Sequence, residues 1–204
     1  MDEPIIGINR HKIGSDGIGV TTLVAFHDCP LHCKYCLNPQ CLEEQELQRV
    51  ISPEELFDYV KIDDLYFLAT GGGITFGGGE PLLKADFIVE FCKLANPQWA
   101  INLESSLNVP LTQLEKVAPY INKYIIDIKD MNPAIYKEYT GSSNQHVLEN
   151  LRWLINQQPA DKILIRLPLI PGHNTNEDRK KSKQQLQEMG YKDFDEFVYI
   201  KKKH

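Results

Sequence analysis

The chain has no apolar run approaching the ~18 residues that a membrane-spanning helix needs. Its first residues, MDEPIIGINRHKIG, have neither the basic start nor the apolar stretch of a secretory leader. A cytoplasmic, reducing location is therefore expected, with no membrane partner. Basic residues are also short, since 22 Lys and Arg stand against 28 Asp and Glu for a net charge of −6. A free-standing nucleic-acid binder usually shows a basic face, so nucleic acid is not an expected partner either. Low-complexity tracts and loose linkers are missing, and 42% hydrophobic with 25% charged residues is a folded-protein composition. We read residues 1–204 as a single domain. Cysteine is scarce and odd in number, five in all. In a reducing compartment that excludes a disulfide framework and leaves free thiols or metal ligands.

What is present is an alternation of short apolar runs with amphipathic stretches. Candidate strands are Thr21–His27, Gly73–Phe76, Trp99–Glu104, Tyr124–Lys129, Lys162–Pro168 and Glu196–Ile200. They are rich in β-branched and aromatic residues and mostly do not alternate, as strands buried on both faces do not. Candidate helices follow Ser52-Pro53-Glu54-Glu55, a cap, a first-turn proline and two acids at the positive helix end. Further helices are expected over 84–95, 111–118, 146–157 and 176–189, the last capped by Asn174, Thr175 or Asn176 and closed by Gly190. Strands alternating with helices imply a parallel sheet with right-handed crossovers. A closed eight-unit barrel typically takes about 250 residues. Six units fit an α/β fold of the partial (β/α)6 open-barrel kind, with its site at the C-terminal strand ends.

The unusual residues fall at those ends. Cys29, Cys33 and Cys36 form a C-x3-C-x2-C loop after the first candidate strand. Three thiolates on one tight loop can hold three corners of a [4Fe–4S] cube, and the fourth iron then stays open to an outside ligand. The same residues with Cys41, His27 or His32 can instead supply four zinc ligands, although structural zinc sites more often use two separated pairs. Cys41 reads as a bystander or a fourth ligand, and Cys92 as core. Gly78 and Gly79 follow the second strand, where a tight turn is the plain alternative to a ligand cradle. Asp127 and Lys129 flank Ile128, so a strand puts both on one side. Arg166 ends the fifth strand, where a guanidinium suits a carboxylate or a structural ion pair.

The cysteine pattern with Tyr35 before its third member, TFGGGEPLL, the stretch DIKDMNPAIYKEYTGSSNQHVLENLRWL, IRLPLIPGHN and the lead-in Gly14-Ser-Asp-Gly17 together resemble the glycyl-radical-enzyme activating enzymes of the radical S-adenosylmethionine (SAM) superfamily. The likeness runs in order from about residue 14 to 200. It implies a [4Fe–4S] cluster on Cys29, Cys33 and Cys36, with SAM bound at the open iron. Reductive cleavage of SAM and removal of hydrogen from a glycine of a partner enzyme would follow. The resemblance further implies cofactor contacts at Tyr35, Leu37, Gly78, Gly79, Ser105, Asp127, Lys129 and Arg166. Glu80, or backbone oxygens near it, would receive the SAM ammonium. A glycyl radical enzyme as protein substrate and a low-potential flavodoxin or ferredoxin as electron donor are the implied partners. A small-molecule or peptide substrate is the alternative within the same chemistry. Forty residues separate Cys36 from Gly77 and hold one cysteine, Cys41, which resembles the single-cluster activating enzymes. Three positions depart from the family pattern: Ile18 replaces the lead-in proline, Glu104-Ser105 ends the third strand, and Lys201 stands near a histidine position.

Overall fold

A computed structural model describes residues 2–14, 16–42 and 49–200. Ser15 of the lead-in and Lys201 lie outside the described residues. Six parallel strands carry the fold: β2 (Val20–Phe26), β4 (Gly73–Gly78), β5 (Ala100–Ser105), β6 (Lys123–Asp127), β7 (Ile163–Leu169) and β8 (Asp193–Val198). Two antiparallel strands, β1 (Glu3–Ile13) and β3 (Arg49–Ile51), extend the sheet beside β2. The spatial order is β3-β1-β2-β4-β5-β6-β7-β8, and its two ends do not pair. The sheet is thus a curved, open, mostly parallel barrel wall, eight strands wide rather than the six read from sequence.

The extra pair has a physical explanation. In β1 only Ile5 is buried, and its second half reads Asn-Arg-His-Lys-Ile at the sheet margin. A strand that buries one side chain shows little of the apolar patterning by which strands are recognised. Five of the parallel strands, β2, β4, β5, β6 and β7, show the opposite. Val24, Phe26, Ile74, Phe76, Leu103, Tyr124, Ile126, Ile163 and Ile165 are fully buried, each such side chain contributing roughly 1.5–3 kcal/mol on removal from water.

Among the described residues, seven α-helices cover the sheet: α1 (Pro53–Val60), α2 (Asp64–Thr70), α3 (Ala85–Leu94), α4 (Leu111–Val117), α5 (Pro133–Thr140), α6 (Gln145–Gln157) and α7 (Asn176–Glu188). The start of α1 is a full capping box, with Ser52 and Glu55 each satisfying the other's backbone N–H. Thr175 is the cap of α7 and makes the same reciprocal arrangement with Asp178. The short helices α2 and α5 are additions to the sequence reading. The face of α3 that meets the sheet sets Phe87 edge-on to Phe26 and Phe91 edge-on to Phe76. Among the described residues, no helix is long and apolar enough to cross a membrane.

Candidate active site

All six parallel strands point their C-terminal ends toward one cavity of about 390 Å³. On one wall stands the loop after β2, and its shape is set by backbone bonds to three neighbours. Asp28 N–H donates to the Cys41 carbonyl at 2.9 Å, closing the loop on itself. His32 and Lys34 N–H donate to the carbonyls of Thr140 and Tyr139 at the end of α5, at 2.9 and 3.1 Å. Glu80 N–H donates to the Asp28 carbonyl at 2.8 Å, tying the loop to the turn after β4.

That turn explains its glycines. Gly78 adopts φ +95°, and a Cβ there would sit 2.7 Å from Ala25 Cα and Phe26 N. At Gly79 a Cβ would sit 2.1 Å from the Asp28 carbonyl oxygen. The close approach demanding glycine is therefore first the chain's own, strand β4 against β2 and its loop. Both glycines still line the cavity.

Cys29, Cys33 and Cys36 all face the cavity and are free thiols. Burial pushes the Cys29 thiol up to about 12, with the Glu80 charge adding to it. Cys33 is also raised by burial, against the pull of the Lys129 ammonium. Cys36 differs, since a hydrogen bond from the Cys41 thiol brings it down to about 6 despite its burial. Among the described residues no three Cys, His, Asp or Glu side chains converge as one small metal ion requires. His27 is bonded at 2.8 Å to Asp28, and His32 is exposed. A donor set of three thiols spread along one cavity wall fits a cube with an open corner better than a tetrahedral zinc site.

The opposite wall carries charge. Lys129 lies 3.5 Å from Asp127, and despite burial the Asp127 charge holds its ammonium above its ordinary range. Arg166 on β7 donates to Glu104 on β5 and lies 3.9 Å from Asp195 on β8. Burial, with Asp127 nearby, raises the Glu104 carboxyl, and Arg166 opposes that rise. Leu37, Ser105, Asp127, Lys129 and Arg166 thus come together in the cavity with the three cysteines.

Two residues read from sequence stand elsewhere. The Tyr35 ring is outside the lining, packed against Tyr139 and His173 at 6.0 and 5.2 Å, while its carbonyl accepts from Tyr199 Oη–H. Glu80 is fully buried behind the wall. Its carboxylate accepts from Ser105 Oγ (2.7 Å), Ser106 N (2.9 Å), Ser106 Oγ (2.6 Å) and Leu82 N (3.2 Å). It caps the turn Pro81–Lys84 and ties β4 to the end of β5.

The cavity also takes residues the sequence did not single out: Leu31, Asn38, Tyr139, Asp195, Phe197 and Tyr199. Asp195, Phe197 and Tyr199 recur at every second position along and just beyond β8, the period that puts side chains on one sheet face. Tyr139 comes from α5, whose Asn132-Pro133 start is a readable cap signal.

A family model described as the radical SAM superfamily matches residues 23–183. The (2S)-3-sulfopropanediol dehydratase activating enzyme of Klebsiella oxytoca is 37% identical over 85% of this chain and 73% of its own length. The indoleacetate decarboxylase activating enzyme of Tractidigestivibacter scatoligenes is 37% identical over 72% of this chain, which spans about half (48%) of it. The pyruvate formate-lyase 2-activating enzyme of Escherichia coli is 29% identical over 82% of this chain and 67% of that protein. In fold, Escherichia coli QueE superposes with a TM-score of 0.52 at 12% identity, covering 96% of this chain and 94% of QueE.

Proposed function

Because the chain belongs to the radical SAM superfamily, among its glycyl-radical-enzyme activating enzymes, we propose that it installs a radical on a glycine of a partner enzyme. The observation that carries this reading is the single cavity that has three cysteine thiols on one wall and the Asp127, Lys129 and Arg166 charges on the other.

Cys29, Cys33 and Cys36 would hold a [4Fe–4S] cluster whose open iron would take SAM, and the group so bound would supply reductive cleavage of SAM and a radical able to remove the glycine hydrogen. The protein's own residues place and shield that chemistry. Cys36, already acidified, is the thiol readiest to give up its proton to a metal. Lys129 offers a fixed ammonium to the SAM carboxylate, and Asp127 offers oxygens to ribose hydroxyls or to the ammonium. Arg166 is held by Glu104 and Asp195 on either side, so it presents its guanidinium without having to be ordered on binding. Leu31, Leu37 and Phe197 supply apolar wall that excludes water. Glu80 fixes Ser105 and Ser106, and with them the cavity edge at β5.

The partner is a glycyl radical enzyme, and the electron donor is a low-potential flavodoxin or ferredoxin. Residues 1–204 act as one domain in the cytoplasm. The test is anaerobic reconstitution followed by electron paramagnetic resonance (EPR) with candidate glycyl radical enzymes. About four irons with matching sulfide, SAM cleavage and a doublet radical on the partner are expected. SAM cleavage driven by a small metabolite or peptide, with no radical on any partner glycine, refutes the proposal in favour of that other substrate class. One zinc and no iron refutes it altogether.

A further inference from the structure

Lys84 stands outside the cavity lining, yet its side chain is only 11% exposed. Its ammonium lies 2.7 Å from Glu3 Oε2 on β1 and 2.7 Å from Asp28 Oδ2, in the residue directly before Cys29. The other Asp28 oxygen, Oδ1, is 2.8 Å from His27 Nδ1. Asp28 adopts φ +71°, in the left-handed region that a residue with a Cβ enters only at a cost. That conformation sets the direction in which the cysteine loop leaves β2. The Asp28 carbonyl accepts from Glu80 N–H at 2.8 Å, and Lys84 ends the same turn, Pro81–Lys84, that Glu80 caps. One short turn therefore grips Asp28 twice, through its carbonyl and through its carboxylate, and Glu3 anchors the gripping ammonium to the sheet.

We propose that Lys84 is a positioning residue that clamps Asp28 in its left-handed conformation and so keeps the cysteine loop shut on the glycine turn, ready to receive the cluster, an inference that rests on the function proposed above. With the ammonium gone, two carboxylates face each other without a cation. The cost of the left-handed residue is then no longer offset, and the loop opens locally while the sheet stays folded. Glycine at position 28 has no such cost, so it should keep the loop shut better than alanine, although both lack the carboxylate.

The experiment is hydrogen exchange of the Glu80 amide in the metal-free protein, paired with iron retention of the reconstituted protein under a chelator. Lys84→Met and Asp28→Ala are expected to speed exchange at Glu80 by about fivefold or more, with exchange in the central strands unchanged, and to lose iron faster. Asp28→Gly is expected to exchange more slowly than Asp28→Ala and to retain more iron. Lys84→Gln, which keeps a polar tip without the charge, replaces Lys84→Met if that variant fails to fold. Wild-type exchange or wild-type iron retention in the Lys84 variant overturns the inference. So does faster exchange spread evenly over the sheet, which marks a general stabiliser, or equal behaviour of Asp28→Ala and Asp28→Gly. Each of these leaves the proposed function standing. Absence of a cubane from wild type overturns the proposed function and the loading step with it, while the exchange comparison still decides the clamp.

Discussion

Replacing Glu80 by alanine removes the acceptor of four hydrogen bonds at once, at 2.6 to 3.2 Å. The hydroxyls of Ser105 and Ser106 can rotate toward other acceptors. The N–H groups of Leu82 and Ser106 are fixed in the backbone, and each is left unmatched at roughly 1–3 kcal/mol. The buried carboxylate is itself unfavourable, since burial raises its pKa above the ordinary 4.5, and that relief offsets part of the loss. We expect a net loss of about 2–4 kcal/mol. Urea unfolding of the metal-free protein reads it as a lower midpoint with an unchanged slope. A cycle with Ser106→Ala should show coupling of about 0.5–3 kcal/mol, because the two side chains share one of the four bonds, from the Ser106 hydroxyl. The pH dependence gives an independent sign. A carboxyl whose folded pKa is raised binds its proton more tightly in the folded state, so wild-type stability falls as pH climbs from 4.5 through the raised value. Glu80→Ala lacks that fall. A loss under about 0.5 kcal/mol, the size of an ordinary surface change, or strictly additive losses in the cycle, would refute the idea that Glu80 latches β4 to β5.

Three further outcomes follow from the geometry. Iodoacetamide at neutral pH should label Cys36 of the metal-free protein well before Cys29, since their thiols lie at about 6 and about 12; equal labelling by peptide mass spectrometry contradicts the contrast. Gly79→Ala places a methyl 2.1 Å from the Asp28 carbonyl oxygen, so it should lose about 1–3 kcal/mol from overpacking and reduce iron loading; wild-type stability with wild-type iron content counts against the close approach. Asp63 is held below its ordinary 3.8 by hydrogen bonds from Arg10 and His11, so its contribution is present above that value and lost as pH falls through the lowered one; Asp63→Asn should flatten the acid limb of the stability–pH curve, and an unchanged limb argues against the pairing.

Most of the parallel strands and the cysteine loop were readable because local signals agree there: apolar runs, capped helices and three closely spaced thiols. Strand β1 was not, because it buries only Ile5 and its outer half is polar. Tyr199 and Phe197 escaped notice because their importance comes from the fold returning β8 beside β7, a tertiary fact with no local mark. Glu80 shows the reverse limit. Its motif drew attention to a ligand role, yet the side chain is consumed by Ser105 and Ser106, and which way a carboxylate turns is decided by donors 25 residues away in sequence.

The carbonyl of Asp28 occupying the place of a Gly79 side chain has a practical corollary. The cysteine loop and the glycine turn are cut to one another like two halves of a joint. A loop grafted from a relative will seat on this scaffold only when its matching turn is transplanted with it, and the pair, rather than either segment alone, is the interchangeable part.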